Sequence, residues 1–303
     1  MWIILAILSA LCLGCYDVSK KRSLTANSVV GVLTVSVLIS SLILFPMWLL
    51  SRIYPDMMQQ TILYVPQVNL YTHRLIIIKS ALVLSSWLCA YIALKHLPLS
   101  VVAPMQATRP MWTLIGALFL FSEVLNGWQW AGVVCALGSV LVYSLVERKK
   151  DKQEMKGQQT YLVFLIIGIL LGSASGLYDK YLMRQYDHNA VQVYYTWYQA
   201  MMMLIVAGVT RLQRERGMAQ TLFAWRWEII GISVFLVLSD FFYLLALTYP
   251  ESLIAVVATA RRAGTIIPFI YGIVILKEQH PLRKVLCLSG ILLGLVCLLI
   301  GTL

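Results

Sequence analysis

The apolar positions of this chain gather into long runs of roughly 18 to 22 residues, the length that carries a helix across about 30 Å of hydrocarbon. Bounded by charges, prolines or polar clusters, the runs predict spanning helices near 2–19, 29–50, 75–94, 99–121, 127–146, 161–182, 190–210, 228–247, 252–276 and 285–303. The first run lacks a basic segment ahead of it and is followed by Lys20, Lys21 and Arg22, so it reads as a spanning helix and not as a cleaved signal peptide. Between the fifth and sixth runs lies the most charged stretch of the chain, which has no apolar periodicity. It divides the sequence into a first five-helix unit over 1–146, a charged linker over 147–160 and a second five-helix unit over 161–303.

The two units echo one another in the same order. Gly14-Cys15-Tyr16-Asp17 matches Gly176-Leu177-Tyr178-Asp179, and Ala93-Leu94 matches Ala246-Leu247. The stretch from Ser100 to Arg109 matches that from Ser252 to Arg261, and Glu123 matches Glu278. Collinear matches inside equivalent helices trace an internal repeat. Because five is odd, the second copy enters the membrane upside down. The fold class expected is an all-α integral membrane protein of ten transmembrane helices arranged as two inverted five-helix repeats.

Composition agrees. The 303 residues are 60% hydrophobic and 12% charged, with a mean hydropathy of +0.80, far more apolar than a soluble domain needs. The net charge of +11 would suggest nucleic acid in a soluble protein. Here the basic residues sit in short loops beside apolar runs and read as orientation signals, so no nucleic-acid partner is expected. All six cysteines lie within apolar runs, where cysteine serves as a small hydrophobe. The pair Cys12 and Cys15 has neither a second pair nor a nearby histidine, so no metal site is expected. No cofactor is expected either.

These features together resemble the drug/metabolite transporter superfamily, of the ten-helix EamA-like kind. The likeness is carried by the five-plus-five plan, the glycine followed by aromatic and charged residues closing helices one and six, and the acids Glu123 and Glu278 after helices four and nine. It implies a secondary carrier, often an exporter of amino acids or other metabolites. It also implies a central cavity lined by helices of both halves, with helices five and ten peripheral.

The loops after odd-numbered spans hold 16 Lys and Arg residues, against 5 on the other side even when Lys79, Lys180 and Arg184 are counted with Arg52 and Arg74. This bias places the odd loops in the cytoplasm and both termini outside. The family likeness implies the opposite, and the charge count outweighs it.

The main functional signal is ionisable residues deep in the spans. Arg109 lies mid-span four, Arg261 and Arg262 mid-span nine, and Asp240 just past the middle of span eight. Each arginine at a helix centre costs about 2.5 to 3.5 kcal/mol to insert, so these groups must face a wet cavity, pair with carboxylates, or both. The plainer alternative is helix-pinning salt bridges, Asp240 with Arg261 or Arg262 being the obvious pair. Arg109 and Arg261 are equivalent in the repeat and would meet at the midplane, where paired guanidinium forks suit a carboxylate or phosphate. Gln106 lies one turn from Arg109, and Pro98, Pro104, Pro110 and Pro268 interrupt the two helices. Trp87 and Tyr243 are candidate cavity walls, although aromatic residues also populate interfacial belts. Asp17 and Asp179, with Lys180, are candidates for gating or proton coupling, the alternative being caps on helix ends.

The function expected is secondary transport, as exporter or exchanger, of a small polar or anionic metabolite through a central cavity by alternating access. A coupling proton is one option. The alternatives are a lipid flippase or a non-transporting membrane protein of the same fold. No H-E-x-x-H occurs, and Gly172-Ser173-Ala174-Ser175-Gly176 misplaces the serine of G-x-S-x-G, so no catalytic residue is assigned. The location expected is multi-pass in a plasma or bacterial inner membrane. Orientation is testable with single cysteines placed in the linker and near residue 303 of a variant without the native six. In intact cells an impermeant thiol reagent should spare the linker and label the terminus, and the reverse pattern refutes the charge-based orientation.

Overall fold

The computed structural model describes residues 1–24, 27–96, 109–122, 124–147, 159–215, 223–265, 267, 271, 289–290, 293–294, 296–297 and 300–301. All regular structure among them is helical: α1 (Trp2–Leu24), α2 (Val29–Ile53), α3 (Leu70–His96), α4 (Arg109–Phe121), α5 (Gly127–Glu147), α6 (Gln159–Met183), α7 (His188–Glu215), α8 (Glu228–Thr248) and α9 (Ile254–Arg262). A single helical turn, Pro55–Met58, follows α2, and a 3-10 turn, Ala263–Thr265, follows α9. Five of these helices, α1, α2, α3, α6 and α8, contain stretches long and apolar enough to cross a membrane. The helices run a few residues past the apolar spans because polar ends such as Lys20 to Ser23 still satisfy the backbone. Residues 99–108 of the span expected at 99–121, most of 266–276 in the span expected at 252–276, most of the span expected at 285–303, and residues 148–158 of the linker lie outside the described residues.

Large apolar side chains such as Leu42, Phe119 and Ile205 point outward, which suits contact with lipid. Lipid gives helices no hydrophobic reason to associate, so small residues and interhelical hydrogen bonds must hold them. The helices follow that rule. α1 lies along α8, α3 along α6 and α2 along α7. Ser9 Oγ donates to the Ser239 carbonyl at 2.8 Å while Ser239 Oγ donates to the Ser9 carbonyl at 3.0 Å, a reciprocal clasp of α1 on α8. Ser86 Oγ donates to the Gly168 carbonyl at 2.7 Å, joining α3 to α6, and Ser233 Oγ donates to the Ser36 carbonyl at 2.8 Å, joining α8 to α2. Each such bond contributes about 0.6 kcal/mol on average in a bilayer.

Two glycines let the backbone of α1 meet the turn after α9. A Cβ on Gly14 would collide with the carbonyl oxygen of Gly264, and one on Gly264 would collide with that of Ala10. This contact brings α9, with Arg261, to the inner side of α1.

Candidate functional site

A cavity of about 350 Å³ lies among these helices. Seven charged side chains line it: Asp17 and Lys20 from α1, Lys79 from α3, Arg109 from α4, Asp179 from α6, Asp240 from α8 and Arg261 from α9. Trp87, Tyr195 and Tyr243 add aromatic wall.

The cavity has a direction. On α6 its lining runs from Gly168 to Asp179 and on α3 from Ala90 back to Lys79, eleven residue steps along each helix and thus about 16 Å of rise. Lys79 and Asp179 form the end nearest the loop between α2 and α3, while Lys20 and Ala90 stand toward the loops that follow odd-numbered helices.

Arg109 reaches this space because of the small-residue surface facing it. Its guanidinium lies in the gap left by Gly172, where a Cβ would collide with it, and donates to the Gly172 carbonyl at 2.6 Å. Ser173 Oγ returns a hydrogen bond to the Arg109 carbonyl at 3.1 Å. The Gly172-to-Gly176 run, which failed as a nucleophile motif, thus serves as the landing surface of α4 on α6.

Arg261 is held on three sides. It donates to Asp240 at 2.5 Å and to Ser239 Oγ at 3.0 Å, and its guanidinium lies 4.2 Å from the centre of the Tyr243 ring. Of the two arginines offered as partners for Asp240, Arg261 meets it. The side chain of Arg262 and the whole of Gln106 are outside the described residues.

A second ion pair was not foreseen. Lys79 donates to Asp179, with the Tyr195 ring centre 4.4 Å from the ammonium, and both side chains are almost wholly buried. Lys79 had been counted as a loop charge, yet it stands ten residues inside an apolar helix, the same signal that singled out Arg109.

Lys180 lies away from the cavity lining. It is completely buried, and its ammonium donates to Ser252 Oγ and to the carbonyl oxygens of Ser252 at 2.6 Å and of Leu247 and Tyr249 at 3.4 Å. A cation there neutralises the exposed carbonyls at the C-terminus of α8 and fixes the turn into α9. Lys20 sits over the Tyr16 ring at 5.5 Å, next to Asp17 on the cavity wall. Trp112, by contrast, turns outward.

Residues 1–145 match the model of the EamA-like transporter family. A solved crystal structure, described only as that of a protein, superposes with a TM-score of 0.69 over 98% of this chain and 95% of its own, at 10% identity. At that identity the likeness shows the fold alone. No curated protein matches the chain.

The Arg261–Asp240 pair has a measurable consequence. Asp240→Asn leaves a buried cation without its acid and should lose roughly 3 kcal/mol of stability. Asp240→Asn/Arg261→Gln should recover much of it, as read from thermal unfolding in detergent. Equal stability of the single and double variants contradicts the pairing.

Proposed function

From the match of residues 1–145 to the EamA-like transporter family, we propose that this multi-pass membrane protein belongs to the drug/metabolite transporter superfamily and is a secondary transporter of a small polar or anionic metabolite, working as an exporter or exchanger by alternating access. The observation that carries the reading is the convergence of seven charged side chains from six helices on one cavity. Charges in hydrocarbon are retained where they line a solute path or relay. Seven charges on one wall favour a polar solute over a lipid.

The inverted repeat belongs to the same proposal, and several contacts support it. Exchanging the halves turns the α1–α8 contact into α6–α3, and both are extensive. Asn27 Nδ2 donates to the Ala224 carbonyl at 2.7 Å, and Asn189 Nδ2 donates to those of Ile62 at 2.8 Å and Tyr64 at 2.9 Å. Each asparagine thus opens one helix, α2 or α7, and ties down the loop before a helix of the other half, α8 or α3. The sequence offset between them is the one that separates Asp17 from Asp179 and Gly14 from Gly176.

In this reading Arg109 and Arg261 attract the anionic group of the solute. Trp87 and Tyr243 bound its apolar part, Asp240 holds Arg261 in place, and Asp17 and Asp179 act at the two ends of the path. The substrate is found by comparing metabolites of cells with and without the protein, followed by transport in proteoliposomes. Arg109→Lys keeps the charge but loses the planar fork, so transport should fall about tenfold, the equivalent of one good hydrogen bond. A neutral amide or ester of the substrate should compete poorly. Normal transport by Arg109→Lys, or equal transport of neutral and anionic analogues, contradicts the assignment.

A further inference from the structure

The two ion pairs of the cavity are not alike. Arg261 and Asp240 stand on consecutive helices joined by a short turn, and Arg261 keeps Ser239 and Tyr243 as further partners. Lys79 and Asp179 stand on helices from either side of the charged linker. Among the described residues, each has the other as its hydrogen-bonding partner, and both line the cavity at its end nearest the loop between α2 and α3. A motion that parts α3 from α6 at this end separates the pair.

Separating it with both charges intact gives up the mutual attraction that offsets the cost of burying each ion, an unfavourable outcome. A proton avoids this. When Asp179 takes up H⁺ its carboxylate becomes a neutral carboxylic acid, no other bond changes, and the remaining ammonium keeps the face of the Tyr195 ring. The other groups facing this point are Asp240 and Tyr243 from α8, Arg261 from α9 and, further along α6, Arg109 from α4. Arginine, lysine and tyrosine ordinarily hold their protons throughout neutral pH, which leaves the two acids. Asp240 is paired with Arg261 across the short turn between α8 and α9, and not across the contact between α3 and α6.

We infer that the Lys79–Asp179 pair is a proton-operated gate, in which Asp179 is the proton-binding residue and Lys79 the partner it releases. The inference rests on the alternating-access reading and adds the proton as the ligand that drives the opening.

The test needs no substrate. Val83→Cys, on the cavity wall, is made in a variant without the native cysteines and exposed to an impermeant charged thiol reagent, from one face in intact cells and from the other in inside-out vesicles. The ratio of the two labelling rates cancels the pH dependence of the thiol itself. The rate from the α2–α3 loop face, relative to the other, should rise several-fold between mildly alkaline and mildly acidic pH. Adding Asp179→Asn should make the ratio high and flat. The exchange Lys79→Asp/Asp179→Lys should restore its pH dependence, which a merely structural pair would not do. Labelling from both faces at a ratio independent of pH overturns the proton role and leaves alternating access standing, as does an unchanged pH response in Asp179→Asn. Absence of labelling from the α2–α3 loop face at every pH, with Asp179→Asn included, overturns alternating access and the gate together.

Discussion

An ionised side chain inside a bilayer must find an opposite charge, a polar backbone or water, and the inner architecture of this protein follows from that requirement. Lys79 is satisfied by Asp179 and Arg261 by Asp240, while Arg109 lies on the backbone of α6 and Lys180 on the carbonyls at the end of α8. Each arrangement ties together helices that lipid alone would leave apart. All of these groups but Lys180 also line one cavity.

Small residues make the arrangement possible. A side chain at Gly172 would displace the guanidinium of Arg109, and one at Gly14 or Gly264 would push α9 away from α1. Serines do the complementary work, since Ser9, Ser86, Ser233 and Ser239 each donate to the backbone of another helix. The charged lining therefore rests on a framework of close backbone contacts, of which Ser86, Gly168 and Gly172 also line the cavity.

Much of this was legible in the sequence because its causes are local. Length and polarity bound a spanning helix, and an arginine far from either end announces itself by depth alone, which is why Arg109, Arg261 and Asp240 were found. The Lys79–Asp179 pair was missed for the opposite reason. Its members are a hundred residues apart, and Lys79 lies near enough to a predicted boundary, 75, to pass for a loop charge although α3 starts at Leu70. Lys180 shows the same limit, since nothing in its neighbourhood says that the turn at Ser252 folds over it. The asparagines at 27 and 189 follow the offset of Asp17 and Asp179, but a lone Asn before a helix carries too little chemistry to attract notice.

The central claim is that these charges line water and not a sealed core. Spin labels placed one at a time at Ala90 and Ala258, on the cavity wall, and at Ile115 and Phe119, turned outward on α4, measure this directly in reconstituted membranes. The first two should relax in collision with a water-soluble nickel chelate, and the second two with dissolved oxygen, which concentrates in lipid. If Ala90 and Ala258 respond to neither agent, or respond as Ile115 and Phe119 do, the ion pairs are structural pins in a dry bundle and the cavity is no path for a solute.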